Sequence, residues 1–261
     1  MTDIKRIALF VTCIVDQTMP EVGVATVRLL RRAGFEVDFP QAQTCCGQPF
    51  FNSGYRDQAR DLARRTVELL DPYEAIVLPS GSCTAMIRLE YPHLLEGNPR
   101  WYYAAKRVAA KTYELSEFLG KFAPDFLNNE QLAMSNEQVA ITYHDSCHMN
   151  RMLGIKDAPR TALAAAGYEI DDMTESDRCC GFGGLFSIKM PEVSNAMTAE
   201  KIRQGKETAV HTIVTADPGC LMQMRGMVQE GDGVEVKHLA VALDEALGRG
   251  AGEQGNKGDG R

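Results

Sequence analysis

The sequence predicts an α/β protein that consists of two repeated βαβ units with parallel sheets. Short apolar strands alternate with helical segments, this alternation occurs twice in 261 residues, and the eight cysteines repeat with it. Strands that alternate with helices form parallel sheets with right-handed crossovers. A chain of this length can bury the cores of one large or two small domains. We therefore expect two Rossmann-like units, with cysteines at the carboxyl edges of their strands.

The first copy shows the predicted elements in order. Residues 7–12 predict the first strand, residues 35–39 the second and residues 75–78 the third. Pro20 and Gly34 delimit the first helix, since Pro favours the first helical position and Gly the position after the last. A second helix follows from one apolar stripe with 3.6-residue spacing. The stripe consists of Ala59, Leu62, Ala63, Thr66, Val67 and Leu70.

The second copy repeats these elements, which identifies an internal duplication. Residues 139–146 and 168–171 predict its first two strands, a helix that ends at Gly167 lies between them, and residues 212–215 predict the third strand. A helical insertion at 91–123 has no counterpart of similar length in this copy. The expected organisation is a first unit at 1–123, a connector at 124–138, a second unit at 139–247 and a Gly-rich, disordered tail at 248–261.

The cysteines form two matching sets of four. The first quartet is Cys13, Cys45, Cys46 and Cys83. The second quartet is Cys147, Cys179, Cys180 and Cys220. In both quartets 31 residues separate the first cysteine from the adjacent pair, and 36 or 39 residues separate the pair from the last cysteine. Because the single cysteines follow predicted strands, the fold should gather each quartet at a sheet edge where ligands and helix N-termini meet.

The spacing of the cysteines narrows their chemistry to a metal site. The sequence has no CxxC motif, which excludes zinc ribbons, thioredoxin-like sites, c-type haem attachment and ferredoxin-type cluster motifs. Adjacent cysteines suit disulfide geometry poorly. They favour an iron–sulfur cluster, because its separate irons accept neighbouring thiolates more easily than one ion does. A four-thiolate zinc site stays open as an alternative at either quartet.

Charge and hydropathy indicate a cytoplasmic protein. The net charge of −7 and pI near 5.3 give no reason to expect binding to nucleic acid or anionic membranes. No apolar segment approaches the roughly 18 residues that span a bilayer. The apolar residues after Arg6 predict a strand rather than a signal peptide, since Asp16 ends them and no cleavage site follows. Cytosolic thiols stay reduced, in agreement with a metal-binding role.

The repeated Cys-(x31)-Cys-Cys-Gly-(x36 or x39)-Cys pattern resembles the CCG (cysteine-rich) domain family. This family includes heterodisulfide reductase B subunits and glycolate oxidase iron–sulfur subunits. The resemblance covers residues 5–247, and segments 79–83, 144–148 and 179–184 look like its short lactate-utilization members. It implies up to two [4Fe-4S]-type clusters on the quartets, in a complex that oxidises L-lactate to pyruvate. The isolated chain is then expected to be inactive.

The chain departs from these relatives at two positions and at its beginning. Ser80 and Asp217 stand where heterodisulfide reductase subunits have a further Cys, so both cubane and non-cubane clusters stay open. We expect Ser80 and Asp217 to support the ligands rather than bind iron, because oxygen donors are uncommon in thiolate clusters. Glycolate oxidase subunits carry an added ferredoxin-like region, and only twelve residues precede Cys13. The resemblance therefore implies a ferredoxin-type partner subunit.

Four further residues flank the predicted ligands. Gly47 and Gly181 follow the adjacent cysteines and are expected to support the ligands, and Gly181 with Gly183 and Gly184 should allow close backbone approach to a cluster. His144 and His148 flank Cys147 and are the catalytic candidates, although hydrogen bonding to sulfur is the favoured interpretation. Three other functions stay open: oxidation of glycolate, a heterodisulfide or thiol reductase activity, and a zinc-stabilised scaffold without a redox role.

Overall fold

The structure is a computed structural model that describes residues 4–128, 139–208, 210–229 and 231–254. Its strands form two parallel sheets of four strands. The strands of the first unit are β1 Arg6–Leu9, β2 Glu36–Asp38, β3 Ala75–Leu78 and β4 Thr112–Glu114. The strands of the second unit are β5 Val139–His144, β6 Tyr168–Ile170, β7 Thr212–Thr215 and β8 Glu235–His238.

Helices connect these strands in both units. In the first unit they are α1 Cys13–Thr18, α2 Pro20–Arg32, α3 Gln48–Asn52, α4 Arg56–Leu70, α5 Gly81–Ala85, α6 Tyr91–Leu94, α7 Pro99–Ala110, α8 Leu115–Phe122 and α9 Pro124–Leu127. In the second unit they are α10 Asp157–Ala165, α11 Leu185–Lys189, α12 Pro191–Glu207, α13 Pro218–Arg225 and α14 Leu239–Gln254. Two π-helical turns occur at Met86–Glu90 and His148–Met152. None of the described helices is long and apolar enough to span a membrane.

The two sheets have the same strand order, which confirms the predicted fold of two repeated α/β units. The first sheet is ordered β2-β1-β3-β4 and the second β6-β5-β7-β8, with parallel pairing throughout. In each sheet the connection from the first strand to the second runs one way and the connection to the third strand runs the other way. The two central strands therefore flank a switch point, where ligands of open α/β sheets bind.

The local sequence signals explain the two long helices of the first unit. Helix α2 begins at Pro20, and Gly34 adopts φ +94° just after the helix, as the sequence predicts. Helix α4 buries the predicted stripe, with Ala59, Ala63 and Val67 fully inaccessible to solvent. The 3.6-residue period therefore sets both the existence of α4 and the face that it packs against the sheet.

Two segments differ from the sequence prediction. Residues 91–123, predicted as a helical insertion, also contain β4, which pairs with β3 as the fourth strand of the sheet. Only three residues form β4, too few for the alternation that marks a strand. The predicted disordered tail is helical as far as Gln254, because it extends a helix that begins at Leu239 and each added residue needs no new nucleation. Residues 129–138 of the predicted connector and 255–261 of the tail lie outside the described residues.

One apolar core joins the two units. Helix α2 contacts α14, and their buried leucines Leu29 and Leu243 belong to the same cluster. Ile7 of β1 and Ile141 of β5 are in this cluster as well, so both sheets turn one face toward it. An ion pair between Arg28 and Asp244, with 3.0 Å between nitrogen and oxygen, lies at the same junction. The units therefore pack as one body.

Truncation of α2 tests this shared core. Leu29→Ala is expected to lower the free energy of unfolding by about 2–5 kcal/mol, because it removes buried methyl groups and leaves a cavity. Val24 lies on the exposed side of α2 with 49% of its surface accessible. Val24→Ala should therefore change the free energy of unfolding by less than about 0.5 kcal/mol. Urea denaturation measures both values. Equal, small losses in the two variants would contradict the junction described above.

Candidate metal centre

One cavity between the two units brings all eight cysteines together. Its empty volume, including the open mouth, is about 810 Å³, within the roughly 300–1,000 Å³ of small-molecule sites. Thr12 and Ser80 line it beyond the ends of β1 and β3, and Cys147 and Asp217 line it beyond the ends of β5 and β7. The cavity therefore lies at the switch points of both sheets, and we call it the central cavity.

Each quartet is a set of free thiols in close contact. In the first quartet the sulfurs of Cys46 and Cys83 lie 3.3 Å apart, too far for a disulfide bond of about 2.05 Å. None of the eight cysteines, all of which are described, forms a disulfide. Cys46 and Cys180, the second members of the adjacent pairs, are buried, whereas Cys45 and Cys179 are partly exposed. Both quartets thus present reduced sulfur to the central cavity.

The thiols of each quartet restrict one another's ionisation. Hydrogen bonds from Cys13 and then Cys46 lower the pKa of Cys45 to about 3. Hydrogen bonds from Cys147 and then Cys180 lower the pKa of Cys179 to about 2. The same contacts raise the pKa values of the donating thiols. Four thiolates in one quartet consequently require a positive charge among them, which a bound metal supplies.

Glycine allows the turn after each adjacent pair. Gly47 and Gly181 have φ +86° and +92°, in the left-handed region that side chains disfavour. A Cβ on Gly181 would also lie 2.5 Å from the carbonyl oxygen of Ser194. The turn directs the amide of Gly47 at the sulfur of Cys45, and that of Gly181 at the sulfur of Cys179, each over 3.4 Å. Backbone N–H groups therefore face the thiol that ionises most readily in each quartet.

Ser80 and Asp217 cap the helices that carry the last cysteine of each quartet. The Ser80 hydroxyl accepts from the amide of Cys83 over 3.2 Å, at the N-terminus of α5. One oxygen of Asp217 accepts from the amide of Gly219 over 3.0 Å, at the N-terminus of α13. Its other oxygen accepts from the amide of Ser82 over 2.7 Å, across the junction of the units. Both side chains are thus occupied with backbone amides while they line the central cavity.

The two candidate histidines occupy different surroundings. His148 lines the central cavity, and its Nδ1 lies 3.6 Å from the sulfur of Cys147. The side-chain amide of Gln48 donates to the carbonyl of Ser82 and also lies 3.2 Å from Nε2 of His148. Since this amide nitrogen is a donor, Nε2 accepts and the ring proton of His148 is on Nδ1, facing the sulfur. A group from the first unit thereby orients a histidine of the second.

His144, by contrast, is fully buried behind the second quartet. One of its ring nitrogens and the sulfurs of Cys180 and Cys220 all lie within 4.8 Å of one another. Burial, and then the charge of Lys201, lower the pKa of His144 to about 4, so its ring is neutral at pH 7. Neither ring nitrogen has a hydrogen-bond partner among the described residues. The His144 ring thus approaches these sulfurs from the buried interior of the second unit.

Comparison with known proteins agrees with the repeated sites. The cysteine-rich domain CCG matches residues 7–88 and 141–225, once in each unit. The chain belongs to the CCG cysteine-rich domain family. The resemblance stated from the cysteine pattern is thus confirmed, and each of the two matches contains one complete quartet.

Two relatives that this CCG protein matches over nearly their whole length share a name. It is 45% identical to lactate utilization protein A of Geobacillus kaustophilus, over 92% of this chain and 98% of that protein. It is 43% identical to lactate utilization protein A of Bacillus subtilis, over 92% of this chain and 99% of that protein. Sequence similarity therefore extends across both CCG units and the junction between them.

A solved structure shares the fold of the CCG units. The crystal structure of a hypothetical protein from Helicobacter pylori superposes with a TM-score of 0.65 at 12% sequence identity. The match covers 94% of this chain and 51% of that chain, so this chain spans about half the length of that protein. At this identity the similarity shows the fold alone.

Several residues that support the CCG turns have no signal in the sequence. The Tyr91 hydroxyl donates to the carbonyl of Cys46, and the Thr198 hydroxyl donates to that of Cys180, each over 2.7 Å. Ser194 donates to the carbonyl of Gly181 over 2.8 Å. These residues lie 13 to 45 positions from their partners. No local pattern marks such contacts, because they depend on how helices pack beside the turn.

Backbone strain occurs directly before the first quartet. Thr12 has φ +75° and is the one non-glycine residue with positive φ within the described ranges. Its buried hydroxyl has no partner among those residues, and Cys13 follows it at the start of α1. Such strain costs about 1–3 kcal/mol and concentrates at functional sites. It fixes the direction in which Cys13 leaves β1.

Variants of Asp217 distinguish its role as a helix cap from a role as a metal ligand. Asp217→Ala is expected to lower the free energy of unfolding by about 0.5–2 kcal/mol through loss of the cap, and to leave the metal content unchanged. Asp217→Asn should retain much of this stability, because Asn caps helices about as well as Asp. Chemical denaturation and metal analysis of the two variants test this. Loss of metal from both variants would show that the carboxylate is a ligand.

Proposed function

We propose that this chain is an iron–sulfur redox subunit of a complex that oxidises L-lactate to pyruvate. The arrangement of two thiol quartets around one cavity is the observation that carries the proposal. The relatives named lactate utilization protein A, 43–45% identical over 92% of the chain, indicate the substrate. The quartets would each hold one cluster, of the [4Fe-4S] type.

The donor set suits an iron–sulfur cluster better than a single zinc ion. In each adjacent pair one cysteine is buried and the other is partly exposed, and both line the central cavity. Separate irons accept such a pair more readily than one tetrahedral ion does. The amides of Gly47 and Gly181 add hydrogen bonds to sulfur, which help to set cluster potentials. Zinc remains the alternative that metal analysis decides.

The residues around the central cavity serve the redox role in two ways. When bound, the clusters would take up and release electrons singly, whereas oxidation of L-lactate to pyruvate releases two electrons and two protons. The two quartets line one cavity, so the groups held by them would share that cavity. His148 lines the same cavity, and Gln48 orients its ring so that Nδ1–H faces the sulfur of Cys147, a contact that would help to set the cluster potential.

A partner subunit completes this role. Every cysteine belongs to a quartet, so the chain has no cysteine left for a further cluster relay. We expect other subunits of the complex, including one of ferredoxin type, to carry electrons onward, and the complex to be cytoplasmic. The isolated chain should therefore be inactive with L-lactate. Glycolate oxidation and reduction of a disulfide substrate at the cavity are the competing activities.

Metal analysis tests the cofactor. Protein prepared without oxygen should contain iron and acid-labile sulfide in equal amounts, up to about eight of each per chain for two four-iron clusters. It should be brown and give an EPR signal after reduction. Cys46→Ser should remove the cluster of the first quartet and leave that of the second. Two equivalents of zinc without sulfide would instead support the colourless scaffold and exclude the redox role.

Activity of the assembled complex tests the substrate. Co-purified with its partners, the chain should support L-lactate-dependent reduction of an artificial acceptor, and Cys180→Ser should abolish it by removing one cluster. Tyr103→Ser alters an exposed side chain on α7 and should leave the rate unchanged. Glycolate and a mixed disulfide are the comparison substrates. Faster turnover of either one would reassign the substrate, while iron in the protein would keep the cluster assignment.

A further inference from the structure

The two metal sites differ at one matched position, which Phe10 and His144 occupy. Phe10 lies three residues before Cys13 and His144 three before Cys147, each at or next to the end of the first strand of its unit. On β1, Ile7 and Leu9 face the core shared by the units, whereas Phe10 faces the opposite side. On β5, Ile141 and Tyr143 face the shared core, so His144 points to the opposite side as well.

Phe10 shows that an apolar aromatic ring is sufficient to fill this position. It is buried in the apolar cluster that also contains Cys46 and Cys83 of the first quartet. His144 is fully buried near the corresponding Cys180 and Cys220, with a ring nitrogen within 4.8 Å of both sulfurs. A phenyl ring fills such a space without polar atoms, whereas an unpartnered imidazole loses its hydrogen bonds to water. The second unit therefore contains a polar group for which packing gives no reason.

The neighbours of His144 leave sulfur as the acceptor for its ring proton. Lys201 is the buried charged side chain of helix α12, and it donates to the carbonyls of Glu175 and Ser176. An ammonium group has no lone pair, so Lys201 cannot accept from His144. The Asp145 carboxylate is held by both terminal nitrogens of Arg160, at 2.7 and 2.8 Å.

The remaining carboxylate near the second quartet is already engaged. Asp217 accepts from the amides of Ser82 and Gly219. Its negative charge and the positive charge of Lys201 both act on the second quartet and oppose each other. Opposing charges thus lie near the second quartet, and His144 adds a hydrogen-bond donor that Phe10 lacks at the first. The sulfurs of Cys180 and Cys220 lie within 4.8 Å of a His144 ring nitrogen and become strong acceptors when a metal binds.

We propose that His144 donates an N–H···S hydrogen bond to the metal group of the second quartet and thereby raises its reduction potential. Phe10 supplies no such bond, so the two sites are chemically unequal although their cysteines match. Hydrogen bonds to sulfur stabilise the reduced, more negative state of a cluster. This inference rests on the proposed iron–sulfur function. His144 is thus a positioning residue of the second site.

Redox titration of the anaerobic protein, followed by EPR, tests the inference. His144→Phe copies the residue of the first unit and should shift one cluster potential to a more negative value, with the other potential and the iron content unchanged. His144→Gln keeps an N–H donor and should retain part of the potential. His211→Phe is the matched control, because His211 is an exposed histidine of the same unit. It should leave both potentials at their original values.

Electron–nuclear double resonance gives a second readout that needs no variant. In deuterated buffer the native protein should show an exchangeable proton coupled to one cluster, and His144→Phe should lack it. Unchanged potentials in His144→Phe would overturn the inference. A strong nitrogen coupling, typical of iron-bound imidazole, would also overturn it by making His144 a ligand. Absence of iron and sulfide would refute the proposed function and this inference together, whereas intact clusters with unchanged potentials refute the inference alone.

Discussion

The carboxyl edges of two parallel sheets determine where the eight cysteines of this protein lie. Parallel strands bring the residues that follow them to one edge, and in each unit the switch point between the two central strands collects a single cysteine from either side. The adjacent Cys-Cys pair completes each quartet from a glycine turn. Because the units share one apolar core through α2 and α14, their switch points open into the same cavity. Eight residues spread over more than 200 positions thereby become neighbours.

Close packing of the thiols makes the quartets dependent on a cation. One thiol in each quartet ionises easily because its neighbours donate to it, and the same contacts hinder ionisation of those neighbours. The surrounding structure supports reduced sulfur through the amides of Gly47 and Gly181 and through the capped helices that carry Cys83 and Cys220. The contacts at Gly47 and Gly181 come from backbone amides, and the caps of the two helices are the Ser80 hydroxyl and the Asp217 carboxylate.

The sequence predicts the framework of this site better than its surroundings. Pro20 and Gly34 delimit α2 correctly, the apolar stripe defines α4, and the duplicated cysteines indicate one quartet for each unit, because these signals are local or periodic. Strand β4 has three residues and no periodic signal, and α14 continues into glycines that suggest a chain without structure. The orientation of the two quartets toward one cavity depends on how the units pack. The same packing positions the hydroxyls of Tyr91 and Thr198 and the strained backbone of Thr12. No sequence motif predicts these features.

The central claim is that two quartets hold two separate metal groups on the walls of one cavity. Crystals grown without oxygen and measured at wavelengths on both sides of the iron absorption edge test it most directly. We predict two iron-containing peaks in the anomalous difference map, one beside Cys46 and Cys83 and the other beside Cys180 and Cys220, with the second within reach of His144. A single peak shared by both quartets, or disulfide bonds in place of iron, would contradict this account.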